Sequence, residues 1–139
     1  MEYDELTGID GSKYTIMIVD DIPLNTRLLE KILEKAEFQL KIFNDSRSAL
    51  NSFAEVNPDI LLIDVMMPGV DGFSFVSSIR SNHDFDHTRV IFVSAVSESD
   101  EILRAGNMGA NDYITKPINA KRVISSVAKQ IQIIEDSKK

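Results

Sequence analysis

The sequence predicts a three-layer, doubly wound α/β fold, a (βα)5 chain whose parallel five-stranded sheet lies between two layers of helices. Three observations point there. Strand-sized apolar runs alternate with stretches of helical periodicity five times along the chain. The runs at 14–19, 59–63 and 90–93 are nearly continuously apolar, as strands covered on both faces are. Around Phe38, Leu40 and Ile42 apolar and polar residues alternate instead, which suits a half-exposed edge strand. Right-handed crossovers between such elements give a parallel sheet with helices on both sides. An edge-like second strand beside buried first, third and fourth strands fits the order 2-1-3-4-5, whose switch point lies between strands 1 and 3.

Residues 1–12 are polar, contain Gly8 and Gly11, and have no periodicity, so they read as a flexible N-terminal tail. Tyr14 to Val19 is the first strand, ended by Asp20-Asp21. Pro23 suits the first turn of a helix. Leu24, Leu28, Leu29, Ile32, Leu33 and Ala36 then mark a single inward face reaching about residue 36. Ser46 to Glu55 is a second helix, with Ala49, Leu50 and Phe53 inward, and Asn57-Pro58 breaks it. The strand at 59–63 leads into Asp64, the turn at Pro68-Gly69, and a helix over 72–80 capped by Asp71. A polar loop over 81–87 precedes the strand Val90–Val93. Glu98 to Met108 is helical and stops at Gly109. Asp112 to Thr115 is a short strand, and a last helix runs from about Asn119 to Glu135. The chain is thus read as one domain over 13–135 between an N-terminal tail and a C-terminal tail of 136–139.

Bulk properties narrow the function. The 139 residues are 43% hydrophobic and 27% charged, ordinary for a globular domain. Cysteine is absent, which excludes disulfide and thiol chemistry, and nothing at the N-terminus looks like a signal. A cytoplasmic location is therefore expected. No apolar run approaches the roughly 20 residues of a membrane helix, so no membrane association is expected. A net charge of −7 argues against nucleic-acid binding by this segment.

In doubly wound sheets, ligands bind beyond the carboxyl ends of the strands. Those ends carry Asp20 and Asp21 after strand 1, Asp64 after strand 3, Ser94 after strand 4 and Lys116 after strand 5. Gathered carboxylates repel one another and call for a cation. One lysine does not balance three acids. A hard divalent ion does, and Mg2+ suits few carboxylates and several waters. Such a site holds a carboxylate nucleophile in Asp64, a hydroxyl in Ser94 and an ammonium in Lys116, the parts required for phosphoryl transfer.

In that arrangement the chain resembles the receiver domains of two-component response regulators, which have a flavodoxin-like fold. The resemblance covers roughly residues 13–135. It rests on Ile18-Val-Asp-Asp21, Asp64-x-x-Met-Pro-x-x-Asp-Gly-Phe73, Ser94-Ala95 and Gly109-Ala-x-Asp-Tyr-x-x-Lys-Pro117, in order and at these spacings. It implies that Asp64 accepts a phosphoryl group from a sensor histidine kinase or a phosphotransfer protein. Asp21, Asp64 and the backbone carbonyl of Met66 would ligate Mg2+ directly, and Asp20 through water. Ser94 and Lys116 would bond phosphoryl oxygens, and the Lys116–Pro117 bond would be cis. Tyr113 stands where the family has an aromatic switch that follows Ser94 inward. The aspartyl phosphate adds up to about two negative charges. The surface of the fourth helix, fifth strand and fifth helix would then repack, altering affinity for an output domain or downstream protein. Homodimerisation through that face is a hypothesis. Two positions that tune phosphoryl lifetime in the family hold the apolar Met66 and Val96, so slow self-dephosphorylation is expected.

Each residue also has a plainer reading. Asp20-Asp21 alone could cap a helix, Asp64 alone could be a solvated acid, and Ser94 alone could cap a turn. Lys116 alone is an ordinary surface lysine. Their joint placement favours the site. Tyr113 reads either as a switch or as a core or edge-strand tyrosine. His83, Asp84, Asp86 and His87 lie in a polar loop away from the strand ends and read as solvated. Met66-Met67 reads chiefly as loop packing. The apolar stripe of the last helix, reaching Ile134, suits either a core helix or a continuing linker or dimer seam. No enzymatic turnover is expected beyond the domain's own phosphorylation and dephosphorylation. A haloacid-dehalogenase-like Mg2+-dependent phosphatase would need a second Asp two residues after Asp64, where Met66 stands. A flavin carrier would need a hydroxyl- and Gly-rich phosphate loop after strand 1, where two aspartates stand. A phosphate-independent receiver-like interaction module is disfavoured because acceptor, metal acids, Ser94 and Lys116 are all present.

Overall fold

The computed structural model describes residues 4–139. Five strands, β1 (Thr15–Val19), β2 (Gln39–Phe43), β3 (Ile60–Ile63), β4 (Arg89–Ser94) and β5 (Asp112–Thr115), form one parallel sheet of order β2-β1-β3-β4-β5. They alternate with α1 (Pro23–Leu33), α2 (Ser46–Val56), α3 (Gly72–Arg80), α4 (Ser99–Asn107) and α5 (Ala120–Ser137). Most boundaries lie within two residues of the sequence reading.

Alternation along the strands builds two cores. Ile16, Ile18, Ile60, Leu62, Ile91 and Val93 face α1 and α5, where they meet Leu29, Leu33, Val123 and Val127. Met17, Val19, Leu61, Ile63, Val90 and Phe92 face α2, α3 and α4 and pack on Phe53, Phe75, Val76 and Ala105. Edge-to-face aromatic contacts stiffen the second core, Phe53 against Phe75 at 6.0 Å and Phe73 against Phe92 at 5.4 Å between ring centroids.

Two expectations are corrected in α1. The helix ends at Leu33, and Glu34–Ala36 tightens into a 3-10 turn closed by Glu37 at φ 65°. Leu24 and Leu28, expected inward, are 70% and 42% exposed. The buried positions are Thr26, Leu29, Ile32 and Leu33. At 3.6 residues per turn Leu24 lies about 140° round the helix from Leu29, outside the stripe that meets the sheet.

The N-terminal segment, read as a tail, behaves differently where it is described; residues 1–3 lie outside the described residues. Asp4–Leu6 and Gly11–Lys13 form 3-10 turns, and Leu6 is buried in the α1/α5 core. Gly11 is buried, and its lack of a side chain permits this close packing, since a Cβ there would lie 2.0 Å from the Ala36 carbonyl oxygen. A single leucine in a polar stretch gives no period to read, so its burial has no sequence signature.

Arg80, at the end of α3, fastens the opposite rim. Its guanidinium donates to the carbonyls of Phe85, Thr88 and Gly109 at 3.0–3.2 Å and 2.7 Å. One side chain thus ties α3 to the loop before β4 and to the turn between α4 and β5.

Candidate functional site

Register brings the expected residues to one edge of the sheet. Val19 pairs with Ile63, so Asp20 and Asp64 leave β1 and β3 side by side. Ser94 pairs with Thr115, which puts Lys116 one residue beyond on β5, its N–H donating to the Ser94 carbonyl at 2.8 Å. Carboxylate oxygens of Asp20, Asp21 and Asp64 lie within 4.8 Å of one another. Asp20 and Asp64 are 2% and 5% exposed, and Asp21 is half-buried.

The Lys116 ammonium reaches Asp64 Oδ2 at 2.8 Å and Asp20 Oδ2 at 2.9 Å. Burial alone pulls its pKa down, but the hydrogen bonds and charges of the two carboxylates outweigh burial and hold it above the ordinary lysine value. It is therefore a cation at neutral pH. The donors are all hard oxygens and the negative charge exceeds the one ammonium, so the chemistry of the set fits a hard divalent cation.

The loop after β3 is shaped by close approaches. A Cβ on Gly72 would lie 2.3 Å from the Asp64 carbonyl oxygen, and the Gly72 N–H donates to the Val65 carbonyl at 2.8 Å. Only glycine lets the start of α3 press against the acid's own backbone. Gly69 turns the chain at φ +83°. Asp71 caps α3 as expected, accepting from the Ser74 N–H at 2.8 Å. Buried Ser46 pins the loop to α2, donating to the Pro68 carbonyl and accepting from the Val70 N–H, each at 3.1 Å. Met66 is 66% exposed, and its N–H donates to Asp64 Oδ1 at 3.2 Å.

Ser94 is fully buried and its hydroxyl accepts from the Val96 N–H at 3.2 Å. The half-buried Tyr113 donates its hydroxyl to the Val96 carbonyl and tilts its ring against Phe92. Burial pushes the Tyr113 pKa up, with Asp64 adding to that effect and its contact with Ser94 opposing it. The Val96 backbone is thus gripped by both residues of the expected switch. The Lys116–Pro117 peptide is cis. His83, Asp86 and their neighbours stay apart from the site; His83 Nδ1 meets Asp86 Oδ2 at 3.0 Å in an exposed loop.

Sequence reasoning missed the residues that hold Asp20. Its Oδ1 accepts from the Ile22 N–H at 2.9 Å, and its Oδ2 accepts from the Asn25 side chain at 3.2 Å. Asn44 donates to the Asp20 carbonyl at 2.8 Å and to the buried Thr26 hydroxyl at 3.0 Å. An asparagine in the first turn of a helix carries no pattern that names its partner.

The family model for the response regulator receiver domain matches residues 16–128. The response regulator PleD of Caulobacter vibrioides is 36% identical over 104 residues, which are 75% of this chain and 23% of PleD. The transcriptional regulatory protein TrcR of Mycobacterium tuberculosis is 29% identical over 116 residues, 84% of this chain and 44% of TrcR. The chain therefore spans less than half the length of these two curated relatives. A CheY-like response regulator receiver domain protein from Methanospirillum hungatei has the same fold, with a TM-score of 0.81 at 20% identity, covering 89% of this chain and 98% of that one. Among the described residues no helix is long and apolar enough to cross a membrane.

Proposed function

The chain belongs to the response regulator receiver domain family, the phosphoacceptor domains of two-component signalling, and on that premise we propose that Asp64 is its phosphoacceptor. The observation that carries this is the Lys116 ammonium 2.8 Å from a nearly buried Asp64 carboxylate, with two further acids beside it. In transfer from a phosphohistidine, an Asp64 oxygen bonds phosphorus as the P–N bond breaks, and the departing imidazole keeps the electron pair and takes a proton. Lys116 and the Ser94 hydroxyl meet the charge on the phosphoryl oxygens.

Asp21, Asp64 and the Met66 carbonyl would hold Mg2+ directly, with Asp20 reaching it through water. When bound, the ion supplies positive charge to orient and neutralise the phosphoryl oxygens. Attraction of Ser94 toward the modified Asp64 would loosen its hold on the Val96 N–H. Tyr113, bonded to the same residue's carbonyl, would carry that change to the surface of α4, β5 and α5. That surface is the one offered to an output domain, a downstream protein or a second copy.

The phosphodonor, a sensor kinase or phosphotransfer protein in the cytoplasm, has to approach the carboxyl-end rim. Ile22, Leu24 and Met66 are exposed there at 49%, 70% and 66%, and Leu28 continues the strip along α1. These apolar side chains border the acidic site and suit the apolar flank of a partner helix that carries the phosphohistidine.

The test is intact mass after incubation with Mg2+ and acetyl phosphate. One added phosphoryl group is expected on the wild type and none on Asp64→Asn or in EDTA. An adduct retained by Asp64→Asn would overturn the assignment.

A further inference from the structure

Both oxygens of the Asp20 carboxylate are held, with acceptor capacity left over. The Ile22 N–H takes Oδ1 at 2.9 Å, and Oδ2 is shared between the Lys116 ammonium at 2.9 Å and the Asn25 side chain at 3.2 Å. An ionised carboxylate only accepts, so the Asn25 amide presents its NH2 group to it. We propose that Asn25 is a positioning residue for the divalent-cation site, its amide fixing the orientation from which Asp20 accepts from a water of the bound ion. This rests on the reading of the acidic cluster given under the proposed function.

Three features support the role. First, Lys116 cannot fix Asp20 throughout, because the same ammonium also serves Asp64 at 2.8 Å and is drawn to any phosphoryl group placed there. Asn25 touches Asp20 and stays when Lys116 turns away. Second, the amide is neutral. It orients an acid without adding positive charge that would repel a dication, which an Arg or Lys at this position would do. Third, Asn25 is itself set rigidly. It lies in the first turn of α1 behind Pro23, and its N–H donates to the Ile22 carbonyl at 2.9 Å. The next residue, Thr26, is locked to Asn44, which also grips the Asp20 backbone.

A plainer role would be to stiffen the start of α1, whose N-cap Ile22 has no side-chain cap bond. The two roles separate in the measurement. Hydrogen-bond partners of metal-site residues typically matter by about 10–100-fold in metal affinity, whereas a helix-stiffening residue changes stability alone. Asn25 is half-buried in a first helical turn, where alanine is well tolerated.

The experiment is a calorimetric Mg2+ titration of wild type, Asn25→Ala and Arg80→Met, with melting temperatures for all three. Arg80→Met serves as a destabilised control whose lesion lies at the opposite rim. Asn25→Ala is expected to weaken Mg2+ binding about tenfold, the lower end for such partners because Asp20 acts through water. Arg80→Met is expected to leave it unchanged. In acetyl phosphate labelling, Asn25→Ala should shift the half-saturating Mg2+ concentration while keeping the rate at saturation. Equal Mg2+ affinity in wild type and Asn25→Ala would overturn the inference alone. So would equal losses of affinity in both variants. A wild type that takes no Mg2+ would overturn the functional reading itself.

Discussion

The Lys116 ammonium stands 2.8 Å from Asp64 Oδ2 with only 16% of the lysine side chain and 6% of the aspartate exposed. It is the cation that lets two nearly buried carboxylates, Asp64 and Asp20, coexist without a metal. Lys116→Met should therefore destabilise the metal-free protein by about 3 kcal/mol, the lower end for breaking a buried pair. Mg2+ should restore more of the melting temperature in the variant than it adds to the wild type, because the ion no longer competes with an ammonium. Labelling by acetyl phosphate at saturating Mg2+ should slow about a hundredfold, as loss of one donor to a developing charge does. Melting curves with and without Mg2+, beside labelling rates, check both halves.

Gly72→Ala tests the packing of α3 against the backbone that follows β3. The added Cβ would meet the Asp64 carbonyl oxygen at 2.3 Å and the Val65 Cα at 2.7 Å, both backbone atoms that cannot swing aside. The loop must move, at a cost of about 1–3 kcal/mol. Because the displaced backbone belongs to Asp64, Mg2+ affinity should fall with stability. A variant that melts lower but binds Mg2+ as tightly as wild type would contradict this.

Arg80 offers a structural contrast far from the chemistry. Burial pulls its pKa down, with the Asp86 charge opposing that effect. Removal of Arg80 leaves the Phe85, Thr88 and Gly109 carbonyls without that donor. Arg80→Met should cost about 2 kcal/mol, read as a lower denaturant midpoint with unchanged slope.

The lifetime of the phosphorylated state should be long. Met66 points no hydrogen-bonding group from its exposed position, and the half-buried Val96 side chain packs into the α2–α4 core. Neither can orient a water for attack on an aspartyl phosphate. Decay followed by intact mass should take minutes or longer, and Met66→Asn should shorten it about tenfold by supplying an amide. A wild-type half-life of seconds would reject the argument.

How legible the molecule was in its sequence differs from residue to residue. The sheet order and the strand-end constellation could be read because buried parallel strands are continuous apolar runs, and the polar residue that stops each one marks the rim. Leu24 and Leu28 misled because an apolar residue beside a core stripe has the same chemistry as one within it; only the position of the sheet separates them. Leu6, Asn25, Asn44 and Arg80 were not legible. Their partners are a distant core, a carboxylate or backbone carbonyls, and no local period records such contacts. Ser46 is of the same kind: its hydroxyl binds a loop 22 and 24 residues away.

Asp112 supplies a pH dependence on the α5 side of the proposed output surface. Burial pushes its carboxyl up, but the bonds from Arg122, from the Ser126 hydroxyl and from the Tyr113 N–H outweigh burial and hold it below 3.8. With the folded pKa depressed, the unfolded chain binds the proton more readily, so stability rises with pH through this window. The contribution is present above the unfolded value, about 3.9, and is lost as pH falls through the lower folded value. Asp112→Asn removes that titration. Its stability should lie below wild type at neutral pH, and the gap should close as pH falls through the depressed folded value. Because Arg122 also donates to the Tyr113 carbonyl at 3.1 Å, the same variant should free β5 from α5 and raise amide exchange at Tyr113 and Ile114. Denaturant midpoints across the acid range, with hydrogen exchange at neutral pH, decide the matter: a stability gap that stays constant with pH would show that Asp112 acts by packing and not by charge.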